Sequence, residues 1–257
     1  MKVDPPPEMK ELLLRPRRFH HRLVASFTRT LLRLIFHGIF RLRVTGVEHL
    51  PLTGPFLLAA NHTSYLDPFA IAAAVPSPVF ARLHFVGWQA YFRNLFTSWV
   101  ARVGHVIPVG MEASLVMALR AISLVLRQGH GVLIFPEGQR AVNGELKPFR
   151  HGIGILVCEL GVPVVPVWIE GTREAWPVSA RWPSPHPVTL AFGSPVTIFT
   201  AQIERWRQDG RDPYRAATDL VREAVRALGV PHTSRATLPT KADNPNDGDS
   251  AIMKSAP

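Results

Sequence analysis

Apolar and polar positions along the chain follow two rhythms. Short, mainly apolar runs occur at Pro55–Ala60 (PFLLAA), Val79–Val86, Val103–Val109, Gly131–Phe135 (GVLIF), Val162–Ile169 and Val188–Phe192. Runs of that length read as strands buried on both faces. Arg41–Thr45 alternates polar and apolar residues, which predicts an edge strand ended by Gly46. Between these runs, apolar residues recur at helical spacing. One helix is expected to start at Asp67-Pro68 and end near Val75-Pro76. A second covers Glu112–Gln128, with Leu115, Leu119, Ile122 and Leu126 in a stripe and Gly129 as its stop. A third covers Ile153–Leu160. The last follows Asp212-Pro213, with Leu220, Val221, Ala224, Val225 and Leu228 on one face and Gly229 at its end. Strands alternating with helices predict an α/β fold. The expected domain covers 41–229, a mixed, mostly parallel sheet of about seven strands flanked by helices. Within Val162–Ile169, Pro163 and Pro166 predict an edge or bulged position.

The segment before this domain has a different character. From Phe19 to Phe40, Leu23, Phe27, Leu31, Leu34, Ile35 and Ile39 fall at helical spacing, interrupted by Arg22, Arg29 and Arg33. Lys10 to Arg43 holds nine basic residues against the single Glu11, so most of the formal charge of +10 sits here. Basic charge mixed with large apolar side chains suits an anionic bilayer surface. Crossing the bilayer would need ~20 largely apolar residues, and each central arginine costs ~2.5–3.5 kcal/mol. The 19–40 segment is therefore expected to lie on the membrane as a peripheral or monotopic element at the cytoplasmic face. A helix packed on its own domain fits the same spacing. Phe85, Trp88, Tyr91, Phe92, Phe96 and Trp99, with Arg93 and Arg102 among them, fit either core packing or contact with acyl chains.

The flanks, 1–18 and 230–257, are polar or proline-rich and read as disordered. Cys158 is the only cysteine, so no intrachain disulfide can form, and the first residues lack the apolar core of a signal peptide. The basic balance comes with no stacking or groove-reading motif, so nucleic acid is not an expected partner. No metal-ligating pattern is present, and no metal or cofactor is expected.

The chemistry concentrates at two strand ends. Pro55–Ala60 runs into Asn61-His62-Thr63-Ser64-Tyr65-Leu66-Asp67-Pro68, where Asp67 and Pro68 read as N-cap and first helical residue. Five residues apart, His62 and Asp67 cannot share a helix face, but a tight turn brings them together. A carboxylate accepting the proton of one ring nitrogen fixes the tautomer and leaves the other nitrogen as a base. This is a base and its orienter with no nucleophile beside it, so the nucleophile would belong to a substrate. Gly131–Phe135 runs likewise into Pro136-Glu137-Gly138-Gln139-Arg140, followed by Lys147 and Arg150. Two strands ending in polar motifs predict one site at the carboxyl edge of the sheet.

NHTSYLD at Asn61–Asp67, FPEGQR at Phe135–Arg140 and VPVVPV at Val162–Val167, in that order, resemble the glycerolipid acyltransferase family of H-x4-D type, typified by 1-acylglycerol-3-phosphate acyltransferases. The resemblance covers roughly residues 20–229. It implies transfer of a fatty acyl group from acyl-CoA or acyl carrier protein to a hydroxyl of a lysophospholipid or related lipid. His62 would be the general base and Asp67 its orienting partner. Glu137 and Gly138 would serve acceptor binding, with Arg140, Lys147 and Arg150 as cations for a phosphate. Pro163 and Pro166 would shape the site. A lipid-binding or scaffold protein keeping this fold without turnover would carry the same motifs. The chain departs from the family where a glycine is followed six positions later by an arginine that meets the acceptor's phosphate. Here the glycine is Gly104 and the arginine's place is held by Gly110. Hydroxyl residues common beside the family's third-motif arginine are replaced by Gln139 and Ala141. These changes imply weak preference for a phosphate monoester, with the His62/Asp67 chemistry intact.

Overall fold

Every residue of Phe56–Ala60, strand β2, is fully buried, because the strand lies at the centre of the sheet and both its faces are covered. The structure, a computed structural model, describes residues 19–88, 94, 97, 99, 104–109 and 115–229. The two flanks, Gly110 and most of the aromatic stretch beyond Phe85 lie outside the described residues. Among the described residues the other strands are β1 (Arg43–Thr45), β3 (Leu83–Trp88), β4 (Val106–Val109), β5 (Gly131–Ile134), β6 (Val164–Glu170) and β7 (Thr189–Phe192). They form one seven-stranded sheet in the order β1-β7-β6-β2-β5-β3-β4. All neighbours are parallel except β6 and β7, so β1 and β7 run against the other five. This is the mixed, mostly parallel sheet the sequence predicts.

Alternation along the strands divides the core into two layers. Leu57, Ala59, Val132, Ile134 and Val164 face one side. There they meet helices α4 (Leu115–Arg127), α5 (Gly152–Leu160), α7 (Thr200–Gln208) and α8 (Pro213–Leu228). Phe56, Leu58, Ala60, Val165, Val167 and Leu190 face the other. They meet α2 (Asp67–Ala74) and the carboxyl end of α1 (Phe19–Gly38), through Ala70, Ile71, Phe36 and Phe40. Burial of this kind contributes ~25 cal/mol per Å² of apolar surface and holds both layers to the sheet.

Four expectations change. Val79 and Phe80 are not strand but the end of a short helix, α3 (Ser77–Phe80), because Pro78 pre-sets a helical first turn; the strand begins at Leu83. The strand with Pro163 and Pro166 is interior, paired to β2 on one side and β7 on the other. Pro166 turns its backbone toward β7, where its carbonyl accepts from Gly193 N at 2.8 Å just past the end of that strand, so its missing N–H costs a bond only beyond the end of β7. On α8 the inward face is Ala216, Ala217, Thr218, Val221 and Val225, and Leu220 is exposed. Helix α7, whose Ile203 and Trp206 are buried, was not foreseen, because its polar sequence hides two anchors in a weak period.

Helix α1 carries two apolar faces. Ala25 and Phe36 pack inward, while Leu23, Phe27, Leu31 and Leu34 stand exposed. Arg29, expected to interrupt an apolar stripe, is buried. It donates to Ser77 Oγ at 2.8 Å and to the Val75 carbonyl, and sits 5.4 Å from the Phe80 ring centroid. Burial, with the charge of Arg33 next, holds its guanidinium below its usual range. Among the described residues no helix is long and apolar enough to cross a membrane.

Candidate active site

Strands β2, β5 and β6 end side by side, and their carboxyl ends deliver the site. At the end of β2, Asn61 extends the pairing through its side chain: Nδ2 donates to the Ile169 carbonyl at 2.9 Å and Oδ1 accepts from Ile169 N at 2.7 Å. This amide clamp fixes where the chain leaves the sheet, and His62 is the next residue. Its ring lies on Phe135, the residue after β5, with centroids 4.1 Å apart and planes 21° apart. Its backbone is held too, since the carbonyl accepts from Ala141 N at 2.7 Å.

The turn Thr63–Leu66 then folds Asp67 back under the imidazole. His62 Nδ1 donates to Asp67 Oδ2 at 2.8 Å. The same oxygen accepts from Thr63 N at 2.7 Å and Ser64 N at 2.9 Å, and Oδ1 accepts from Thr172 Oγ1 at 2.6 Å. Asp67 is therefore not the N-cap the sequence predicts. It opens α2 as a helical residue, Leu66 takes the cap position, and the carboxylate is spent on the preceding turn and on Thr172. With 0% of its side chain exposed it is a carboxylate fully removed from solvent and held by four donors, whereas 20% of the His62 side chain reaches solvent. An Nδ1–H committed to Asp67 fixes the tautomer and leaves His62 Nε2 unprotonated, on a ring that is partly open to solvent.

Thr172 was missed as a site residue. It follows β6 and begins the short helix α6 (Thr172–Ala175) after Gly171, which has φ 87° and would drive a Cβ to 2.0 Å from the Pro187 carbonyl. A glycine-threonine pair closing an apolar strand was the signal available in the sequence.

Glu137, expected to face the acceptor, is 4% exposed and turned inward. Oε1 accepts from His62 N at 2.7 Å and Oε2 from Lys147 N at 3.0 Å. Burial pushes its carboxyl above the usual range, opposed by those two donors and by the charges of His62 and Lys147. It is a brace between the His62 turn and the 135–150 loop. Gly138, at φ 73°, supplies close approach: an added Cβ would lie 2.2 Å from Arg150 Nε, so the arginine lies across the bare glycine. Lys147 Nζ donates to the Arg140 carbonyl at 2.8 Å, and the Arg140 guanidinium carbon lies 3.6 Å from the Tyr65 ring centroid. The predicted cations Arg140, Lys147 and Arg150 thus gather on the loop that buttresses His62. Pro163 lies just before β6 and Pro166 within it, in the body of the sheet, and Thr172 follows two residues after that strand ends.

An apolar cleft of about 350 Å³ opens beside the turn, lined by Leu32, Ile35 and Phe36 of α1 and by Ile39 just after it, with Leu66 and Phe69. Leu66 and Phe69 flank Asp67, so the cleft and the base share one turn.

Comparison with known proteins gives the family. Residues 41–170, about half of the chain, match the family model described as Acyltransferase. A chloroplastic 1-acyl-sn-glycerol-3-phosphate acyltransferase of Brassica napus is 26% identical over 168 residues, covering 64% of this chain and 46% of that protein. The alpha form of 1-acyl-sn-glycerol-3-phosphate acyltransferase from Mus musculus is 28% identical over 152 residues, covering 56% of this chain and 50% of that protein. The chain thus spans about half the length of the curated relatives it matches. The crystal structure of the 1-acyl-sn-glycerophosphate acyltransferase PlsC of Thermotoga maritima shares the fold, with a TM-score of 0.64 at 24% identity over 91% of this chain and 88% of that one. The match over 41–170 takes in β1 to β6 and every residue of the His62 turn, and on it the chain belongs to the acyltransferase family.

Proposed function

We propose that the protein is a membrane-associated O-acyltransferase that moves a fatty acyl group from the thioester of acyl-CoA or acyl carrier protein to a hydroxyl of a lysophospholipid or related glycerolipid. The observation that carries the reading is the His62 Nδ1–Asp67 Oδ2 contact at 2.8 Å, which commits one ring nitrogen to the carboxylate and leaves Nε2 for a substrate hydroxyl. His62 Nε2 takes the proton of the acceptor hydroxyl as its oxygen attacks the thioester carbonyl. Collapse of the tetrahedral intermediate breaks the carbon–sulfur bond, and His62 returns the proton to the departing thiolate. Asp67 stays ionised and holds the imidazole in one tautomer throughout.

Two further features support lipid substrates. The apolar cleft beside Asp67 suits an acyl chain. Arg140, Lys147 and Arg150 carry positive charge with no ion pair among the described residues, which suits the acceptor's phosphate. The named relatives act on 1-acyl-sn-glycerol-3-phosphate, the same chemical class. The exposed row Leu23, Phe27, Leu31 and Leu34 on α1, with exposed Arg33 beside it, is the face for an anionic bilayer at the cytoplasmic side.

Thiol release from acyl-CoA or acyl carrier protein, measured across a panel of lysolipids and lipid alcohols, tests the assignment. Release that depends on an acceptor hydroxyl, with a new ester as product, is the expected result. Lipid binding without thiol release from any donor would instead identify a lipid-binding protein that keeps the fold.

A further inference from the structure

Tyr65 is the odd member of the catalytic turn. Thr63, Ser64, Leu66 and Asp67 are all buried, yet Tyr65, a large aromatic, is 42% exposed. Burial in the core layer that Leu66 joins does not explain a ring left this open. One face is occupied by the Arg140 guanidinium, 3.6 Å from the centroid. That separation is van der Waals contact, short enough only for a guanidinium lying flat on the ring. Trp176 braces the ring at 5.9 Å with planes 57° apart. Trp176 is fixed in turn, since its Nε1 donates to the Ala180 carbonyl at 3.1 Å and its own carbonyl accepts from Ser64 Oγ at 3.4 Å.

We infer that Tyr65 is a positioning residue that holds Arg140 in register with the base, and that this contact sets selectivity for acceptors bearing a phosphate. The inference rests on the reading of Arg140 as the group that meets that phosphate. A carboxylate partner would also fix the guanidinium, but it would cancel the charge and occupy the N–H fork. An aromatic face immobilises the cation while leaving its in-plane donors open to an anion. No carboxylate pairs with Arg140 among the described residues. Tyr65 lies three residues after His62 and two before Asp67, so one turn fixes both the base and the reader of the anion. In a lysophospholipid the phosphate and a free hydroxyl lie on adjacent carbons, a spacing that a single rigid turn can register.

The test is steady-state kinetics with acyl-CoA and two acceptors, lysophosphatidic acid and monoacylglycerol, for Tyr65→Phe, Tyr65→Leu, Arg140→Gln and the Tyr65→Leu/Arg140→Gln double variant. Tyr65→Leu should raise KM for lysophosphatidic acid roughly three- to thirtyfold, the span of a cation–π contact. Its kcat should stay within about twofold and monoacylglycerol should be unaffected, while Tyr65→Phe, which keeps the ring, should lose far less than Tyr65→Leu. The double variant should be no worse than Arg140→Gln alone, because both changes act through one guanidinium. Equal losses on both acceptors, additive losses in the double variant, or a Tyr65→Phe defect equal to that of Tyr65→Leu would each overturn the inference. If Arg140→Gln raises KM for lysophosphatidic acid but Tyr65→Leu does not, only the role of Tyr65 falls. If Arg140→Gln itself changes nothing, the phosphate reading of Arg140 falls first and takes the inference with it.

Discussion

The hydroxyl of Thr172 donates to Asp67 Oδ1 at 2.6 Å and so joins the end of β6 to the carboxylate that holds His62 Nδ1. Hydrogen bonds to a buried charge are worth ~1.5–3 kcal/mol, and removing one leaves an unsatisfied oxygen. Thr172→Val, which keeps the shape, should lower stability by about that much and kcat by roughly tenfold, as Asp67 gains freedom to leave the imidazole. Thr172→Ser should recover most of both. Denaturant unfolding beside initial rates checks this, and a Thr172→Val enzyme with full kcat would remove the residue from the site.

Glu137 offers a second check on positioning. A glutamine there has one acceptor oxygen and must turn its NH2 toward the N–H of His62 or Lys147. Glu137→Gln should therefore cost ~1–3 kcal/mol of stability and slow turnover with every acceptor alike. Were Glu137 an acceptor ligand, its loss would change selectivity among acceptors, which the same panel of rates would reveal.

The two faces of α1 should separate by mutation. Arg29→Met strands the Val75 carbonyl and Ser77 Oγ, so it should destabilise the fold by ~1–3 kcal/mol while leaving the outer row intact. Phe27→Asp with Leu34→Asp should leave stability nearly unchanged and weaken co-sedimentation with anionic vesicles severalfold, and added salt should weaken wild-type binding too. Full pelleting of the double aspartate variant would move the membrane contact to the aromatic stretch between Phe85 and Trp99.

Acceptor preference should reflect Gly110, which stands where the family resemblance implies an arginine. One missing charge-assisted contact corresponds to ~1.5–3 kcal/mol, or roughly ten- to a hundredfold. Lysolipids with a diester head group should match or exceed lysophosphatidic acid, and Gly110→Arg should raise activity toward the latter selectively. A wild-type preference of a hundredfold for lysophosphatidic acid would contradict this.

Much of the arrangement was legible because strong local signals agreed with the fold. The β2 and β5 runs, each buried on both faces, read directly as interior strands, and the polar residues after them fell at one sheet edge. What escaped depended on tertiary context. Glu137 looked like a ligand because a carboxylate beside a glycine and an arginine gives no hint that two distant N–H groups will claim it. Asp67-Pro68 read as a cap pair, whereas the carboxylate turned back to Thr63 and Ser64. Arg29 broke an apolar stripe on paper, yet its head finds acceptors at the carboxyl end of α2 that periodicity cannot foresee. Pro166 pointed to an edge, but the neighbouring strand ends where the missing N–H would have been needed.

The central claim is that His62 is the base and that no protein nucleophile intervenes. Thiol release from acyl-CoA by His62→Ala, measured beside Asp67→Asn and wild type at matched thermal stability, tests it most directly. Loss of a general base removes ~10²–10⁴-fold, so His62→Ala should show no turnover above background while Asp67→Asn keeps a trace. Acceptor-dependent turnover by folded His62→Ala at a substantial fraction of the wild-type rate would contradict the account.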